Sequence, residues 1–551
     1  MKKLLMILLC LVMALAVLAG CQTQTQTQSP TTPEGKKVIT IGIPKSTRVL
    51  DYDTNSYTLW LEEVSGYEIQ FVPYATSSSD YKKQLASDIA GELELPDILL
   101  GFTVGDVLVE QYGEDGYFID LSEYYKDEEK SANFRKMLKD YLSADEQQRV
   151  WEQLHAEAED GDWENAPMYY LPSIETTLID TMDFMPMINQ NWLDKLHIEK
   201  APETPEELLN VLRRFKNEIK APDGSTIYPL LGPAGDANSP GGSTIDWLIN
   251  FFIYQNDSYH FNLDANGNLY LPYNQEAYKE ALKYIHTLYE EGLMHQSTLT
   301  ATYKGVKPTL STTDLVGVTV IHPSQGFDLT NDCINKWVPL NLYGNVYYND
   351  NTFSKNVFIT DSCDDPEAAW DLLMHMYTYE SALRQRYGVP GEDWDYADEG
   401  ATSVMGLTAS IKVYNDIWGT NNNKSWNVLR GGVFPYAENE VTQATGNESD
   451  ALKHKYELYV GLTTNFNAAL EKVDKTLVCP KLTFNTEEKE MAPYRQDLKD
   501  AVNTWQAEFI NGTKDIDKDW GAYLDDLNTL GLNDYIAAGQ HCYDRTYKNA
   551  N

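Results

Sequence analysis

Between Val38 and Leu100 the chain alternates between apolar, β-branched runs and amphipathic stretches, and this restricts the fold more than any other feature. Val38-Ile39-Thr40-Ile41-Gly42-Ile43 predicts a buried strand. A polar loop carrying Asp51, Asp53 and Asn55 leads into a helical stretch over 57–64, and Glu68-Ile69-Gln70-Phe71-Val72 alternates as a second strand. Asp80 to Ala90 puts Leu85, Ile89 and Ala90 among polar residues as an amphipathic helix does, and Leu95 to Leu100 is a third short strand. Strands separated by helices pair in parallel, with the helices covering both faces of the sheet.

Later segments extend the pattern without a repeat. Ser143-Ala144-Asp145-Glu146 is a capping box. Thr204-Pro205-Glu206-Glu207 combines an N-cap threonine with proline in the first turn, and Leu208, Leu212 and Phe215 follow on one face. A strand entering a helix is expected over 184–192, a hairpin turn at Asp264–Asn268, a helix over 275–290 and a buried strand at 316–321. Asp365-Pro366-Glu367 opens a helix, and Trp520, Leu524 and Leu527 mark another that Gly531 ends. The class is α/β in more than one unit.

The amino end has a different character. Met1-Lys2-Lys3 precedes an unbroken apolar run from Leu4 to Ala19, 16 residues against the roughly 20 that span a bilayer. With small residues at its end, this is the anatomy of a secretory signal peptide. Leu18-Ala19-Gly20-Cys21 resembles the lipobox of bacterial lipoproteins, which implies removal of residues 1–20 and lipid on Cys21. Gln22 to Lys36 contains no aliphatic or aromatic side chain, so residues 21–36 are expected to form a disordered tether. It would hold its cargo on the order of 20 Å from the anchor.

Composition excludes some partners. With Lys2 and Lys3 lost with the leader, 41 basic residues face 83 acidic ones, which argues against nucleic acid and anionic membrane surfaces. Cys333, Cys363, Cys479 and Cys542 remain after Cys10 and Cys21 are set aside; their spacing forms no zinc pattern and leaves room for at most one optional bridge. Tyr and Trp, at 37 and 12, outweigh 16 Phe, a surplus that suits half-wet clefts and the flat faces of sugar rings.

Several segments resemble the extracellular solute-binding lipoproteins of bacterial ABC importers, in particular the large carbohydrate-type members. They are the lipobox and tether before Ile39-Thr40-Ile41-Gly42, Ser65-Gly66-Tyr67-Glu68-Ile69, Leu95-Pro96-Asp97-Ile98, and Asn191-Trp192-Leu193-Asp194 running into Pro202–Leu208. Tyr387-Gly388-Val389-Pro390-Gly391-Glu392-Asp393-Trp394, Phe509-Ile510-Asn511-Gly512 and Gln540 through Arg545 complete the set. The resemblance implies a two-lobed, type II periplasmic-binding-protein-like α/β fold with a ligand cleft between the lobes. Residues 37–175 and 310–360 are expected in lobe 1, and 176–309 and 361–551 in lobe 2. Crossings are expected near 172–185 and 300–315, with a return near 360. The implied function is capture of an oligosaccharide or related sugar by hinge closure and delivery to a permease. The protein would act as a lipid-anchored monomer on the outer face of the cell membrane, without a cofactor. A surface-attached carbohydrate-active enzyme, or a binder of a peptide or other small polar solute, is the alternative.

No Gly-x-Ser-x-Gly elbow, His-Glu-x-x-His helix or Walker loop stands in the sequence, so no catalytic residue is assigned. Asp264-x-Asn266-x-Asn268 and Asp515-x-Asp517-x-Asp519 are spaced like calcium loops. Both fail at position six (Leu269, Trp520) and position twelve (Gln275, Asp526), so no metal is assigned. Ligand contacts are expected on loops after strand ends. The candidates are Asp51, Asp53, Phe102, Thr103, Tyr170, Asp246 and Trp247, with Trp418 and Trp426 in the Asn-rich run 415–426.

Overall fold

The computed structural model describes residues 35–155, 165–176, 182, 184–234, 243–255, 261–346, 353–403, 406–415, 417, 420–426, 431–435, 450–474, 477, 479, 482, 484, 488 and 495–548. The leader, Cys21 and most of the tether lie outside them. In chain order the strands are β1 (Val38–Pro44), β2 (Glu68–Tyr74), β3 (Ile98–Leu100), β4 (Leu171–Glu175), β5 (Pro186–Asn189), β6 (Tyr228–Leu230) and β7 (Asn262–Leu263). There follow β8 (Leu269–Tyr270), β9 (Val316–Val320), β10 (Trp337–Pro339), β11 (Phe353–Ile359), β12 (Trp394–Tyr396), β13 (Ile411–Val413) and β14 (Gly432–Phe434).

Two sheets organise them. The larger has the order β14-β4-β11-β3-β1-β2, and the smaller β10-β5-β9-β6. In the larger sheet β1 pairs in parallel with β2 and β3, β14 pairs in parallel with β4, and only β11 runs against its neighbours. The parallel sheet predicted from residues 38–100 is therefore present, with the helices Ser56–Ser65 and Ser78–Ala90 as its crossovers. Asn55 and Ser77 cap those helices through their side-chain oxygens. Both predicted caps at Ser143 and Thr204 are also formed. The helix Pro205–Glu218 buries Leu208, Val211, Leu212 and Phe215, its apolar stripe.

Each sheet carries its own core. The larger sheet's buried cluster draws on residues 39–174 and 357–433; the clusters on the smaller sheet draw on 182–346 and 451–535. Trp192, Trp247, Trp337, Trp370, Trp394 and Trp426 are all less than 2% exposed. Half of the tryptophans thus serve dry cores.

The expected lobe boundaries need correction. β9 pairs with β5 and β6, and the helix Tyr303–Thr312 buries Val306 and Leu310 in a cluster of the smaller sheet, so residues 310–346 do not return to the first lobe. Conversely, the helix Pro366–Met376 and β14 belong with the larger sheet, and the chain re-enters the second unit only with the helix Asp450–Leu470. A buried β-branched run reports that it is buried and is silent about which sheet buries it.

Candidate ligand cleft

The strand directions fix where a cleft lies. The carboxyl ends of β1, β2, β3, β4 and β14 and the amino end of β11 share one edge of the larger sheet. The chain leaves that edge after β4, returns to it at β11, and leaves again after β14. In the smaller sheet the start of β5 and the ends of β6, β9 and β10 likewise share an edge, the one the chain enters after β4 and leaves for β11. The two carboxyl edges are therefore the joined ones, and this is where open α/β sheets bind ligands. The three strands that carry the crossings, β14, β4 and β11, are immediate neighbours. Thr176 N–H donates to the Phe434 carbonyl at 3.0 Å, which ties the first crossing to the last.

On the first unit, the loop after β1 is held by a segment some 370 residues away in sequence. Asp51 Oδ1 accepts the N–H groups of Asp53 (2.9 Å) and Thr54 (3.2 Å), while Asp51 N–H donates to Asn423 Oδ1 (3.1 Å). Asn423 Nδ2 donates to the Thr54 carbonyl at 3.0 Å, and Asn55 Nδ2 to the Ser425 carbonyl at 3.1 Å. Asp51 and Asp53 are both exposed. The acidic loop and the Asn-rich run, proposed separately from sequence, thus meet.

A buried carboxylate anchors that run. Asp393, fully buried, accepts Val389 N–H (2.9 Å), Asn415 Nδ2 (2.9 Å) and Lys424 Nζ (2.6 Å). Burial works against the charge of Lys424, but Asp393 and Glu392 outweigh it and hold the ammonium above its ordinary range.

The aromatic candidates fall differently. Trp426 is fully buried, edge-on to Tyr57 (4.7 Å) and Phe71 (5.4 Å), with its Nε1 on Thr58 Oγ1 at 2.8 Å. Phe102 is fully buried between Tyr74 and Tyr81, and Trp247 is buried with Nε1 on the Leu342 carbonyl at 3.0 Å. These three rings have no surface to offer a ligand. Tyr170 is corrected for position as well. It precedes β4, so it sits at the edge opposite the crossings, its hydroxyl on the Gln153 carbonyl. Trp418 lies outside the described residues. Thr103 is exposed, its Oγ1 2.8 Å from the Tyr81 hydroxyl. Asp246 is half-buried in the first turn of the helix Thr244–Ile249, its Oδ1 accepting Gln255 Nε2 at 2.6 Å.

Sequence reasoning missed the second unit's edge after β9. His322 there is 7% exposed, and its Nδ1 accepts Ser324 N–H at 3.2 Å, which leaves the ring proton on Nε2. Burial, reinforced by the Lys455 charge, pushes His322 down to about 3. Lys455 is itself buried, with Nζ 4.2 Å from the Tyr456 ring centre and 5.4 Å from that of Tyr459. A strand-end rule applied to Val316–Ile321 would have found His322.

The two calcium-like spacings are local turns. Asp264 Oδ1 accepts the N–H groups of Asn266 and Asn268, each at 2.8 Å, and its Oδ2 accepts Asn268 Nδ2 at 3.0 Å. Asp515 caps the helix Ile516–Thr529, and Asp517 pairs with Lys279 and Lys283. Among the described residues no group of three or more His, Cys, Asp or Glu is arranged around a metal position.

The chain has the fold of the ABC-transporter solute-binding proteins, two α/β units joined at the carboxyl edges of their sheets. No family model matches the sequence. The fructooligosaccharide ABC transporter substrate-binding protein FusA of Streptococcus pneumoniae is 22% identical over 539 residues, covering 89% of this chain and 87% of its own. The solved structure of FusA with kestose superposes with a TM-score of 0.67 at 19% identity, over 93% of this chain and 100% of that one. An HMO-binding ABC-transporter-associated solute-binding protein of Bifidobacterium longum infantis gives a TM-score of 0.70 at 20% identity, over 93% and 99%. These relatives are binding proteins and work outside the cytoplasm.

Proposed function

We propose that this chain is the extracellular substrate-binding component of an ABC importer and that it carries an oligosaccharide. The observation that carries the reading is the set of three crossings on adjacent strands, which lets two separately packed units close on a ligand as one hinge. The oligosaccharide class is supported by what FusA binds and by the polar, hydroxyl- and carboxylate-bearing edge at Asp51, Asp53 and Thr103. The second unit would add Asp246, from the helix Thr244–Ile249, and His322, from the end of β9. His322 contributes a neutral N–H donor suited to a sugar hydroxyl. Lipid on Cys21 holds the monomer at the membrane beside its permease, where effective concentration offsets weak docking.

The test is a panel of fructans and other oligosaccharides read by thermal shift and by product chromatography. A ligand at a hundred times its Kd adds about 2.7 kcal/mol of stability, and the sugar is recovered intact. Stabilisation by none of the panel, or hydrolysed product, sinks the reading. For the anchor, Cys21→Ala moves the protein from the membrane to the medium while ligand affinity stays unchanged.

A further inference from the structure

The loop that carries Asp51 and Asp53 runs from Lys45 to Asn55 and contains no proline that would stiffen its backbone. A single residue from far along the chain meets this loop and the start of the next helix at four atoms. Asn423 Oδ1 accepts Asp51 N–H at 3.1 Å, and Asn423 Nδ2 donates to the Thr54 carbonyl and to Thr54 Oγ1, each at 3.0 Å. The Asn423 carbonyl accepts Ser56 N–H at 3.0 Å, where the helix Ser56–Ser65 begins. Asn422 adds a backbone pair beside it: its N–H donates to the Arg48 carbonyl at 2.9 Å, and its carbonyl accepts Leu50 N–H at 3.1 Å.

The segment that grips the loop is itself fixed. Buried Asn422 turns its Oδ1 back to accept Lys424 N–H at 2.9 Å and Ser425 N–H at 3.2 Å. Lys424 is held by Asp393, and Trp426 sits in the core. The side chain of Asn423 is spent on the loop, because both amide hydrogens go to Thr54 while Oδ1 holds Asp51 N–H. The loop spends its own polar groups differently. Asp51 Oδ1 closes the turn onto the N–H groups of Asp53 and Thr54, and both acidic residues remain exposed.

We propose that Asn423 is a positioning residue for the ligand: it holds the turn from Asp51 to Thr54 in the shape that meets the sugar, and it acts on affinity through that turn alone. The inference rests on the functional reading above, in which Asp51 and Asp53 contact the ligand. A turn released from Asn423 samples other shapes and is competent for only a fraction of the time. The apparent Kd then rises by the inverse of that fraction. Ordering the turn in advance spares the ligand the entropy of ordering it on binding.

The test is a double-mutant cycle on the full mature chain, read by titration calorimetry well below the melting temperature. Kestose is the first probe; if it gives no thermal shift with the unsubstituted protein, the panel sugar with the largest shift takes its place. Asn423→Ala weakens binding on the order of tenfold and speeds amide exchange over residues 50–56. In an Asp51→Ala background the same change costs no more than about threefold, because the group it positions is gone. Affinity unchanged by Asn423→Ala, or an undiminished loss in the Asp51→Ala background, overturns the proposal. If Asn423→Ala does not fold, Asn423→Asp decides by the same two readings, since it keeps the acceptor for Asp51 N–H and loses both donors to Thr54. No shift with any sugar on the unsubstituted protein overturns the functional reading, and the positioning role falls with it. A sugar that binds whatever stands at position 423 overturns the positioning role alone.

Discussion

The two joined edges are built in opposite ways. After β1, the first unit presents exposed carboxylates on a loop stitched to residues 420–426, and keeps its aromatic rings behind them in the core. After β9, the second unit presents a nearly buried histidine with a lysine and two tyrosines packed around it. One edge is wet and acidic, the other is dry, and both are supported by segments far along the chain. Aromatic rings at the first edge therefore bear on stability, whereas the imidazole at the second is the donor proposed for the ligand.

The sharpest way to break this contrast is Trp426→Ala. If the ring is core, the change costs roughly 3–5 kcal/mol in denaturant unfolding, with ligand affinity per folded molecule nearly unchanged. Full stability with lost affinity would return Trp426 to the cleft. Asp393→Ala comes next. It leaves the Val389 N–H and Asn415 Nδ2 without this acceptor and Lys424 with Glu392 alone, at a cost on the order of 3 kcal/mol. It should also loosen residues 415–426 in hydrogen exchange while the helix Pro205–Glu218 of the other unit stays protected.

His322 gives a prediction with a sign. Its folded value lies below the unfolded value of 6.5, so the unfolded chain takes up a proton that the folded chain refuses. The stability linked to this site is complete above pH 6.5 and is lost as pH falls toward about 3, by about 1.4 kcal/mol per pH unit within that window. His322→Gln removes that slope, and measured unfolding between pH 6.5 and 4 checks it. The same change lowers ligand affinity about tenfold if Nε2 donates to the sugar. Unaltered affinity would confine the imidazole to its capping role. Asp51→Asn is the smallest effect: stability moves within about 0.5 kcal/mol for an exposed side chain, so any larger fall in affinity reports ligand contact.

Local physics made much of the fold legible. The strand and helix order over 38–100, and the caps at Ser143 and Thr204, follow from patterns a few residues long, and all are present. The two-lobed architecture came from resemblance. Sheet membership is decided by pairings between distant segments, which is why the local pattern of 316–320, and of β14, does not tell which sheet takes them. Burial of an aromatic is similarly non-local. Trp426 reads as a polar-loop residue because Asn422, Asn423 and Ser425 precede it, and nothing nearby announces that Tyr57 and Phe71 close over it. The strand-end rule found Thr103, which is exposed, and also Phe102, which is not. The rule locates a loop and leaves open which way its side chains point.

The adjacency of β14, β4 and β11 has a mechanical consequence. Their ends are three attachment points in a row, spaced by about 4.8 Å, and three collinear points define an axis. A swing about that axis keeps all three strand ends on it. A twist about a perpendicular axis carries the two outer ends in opposite directions. The proposed closure would then swing like a door, and a single inter-unit distance followed by paired fluorophores would read its angle.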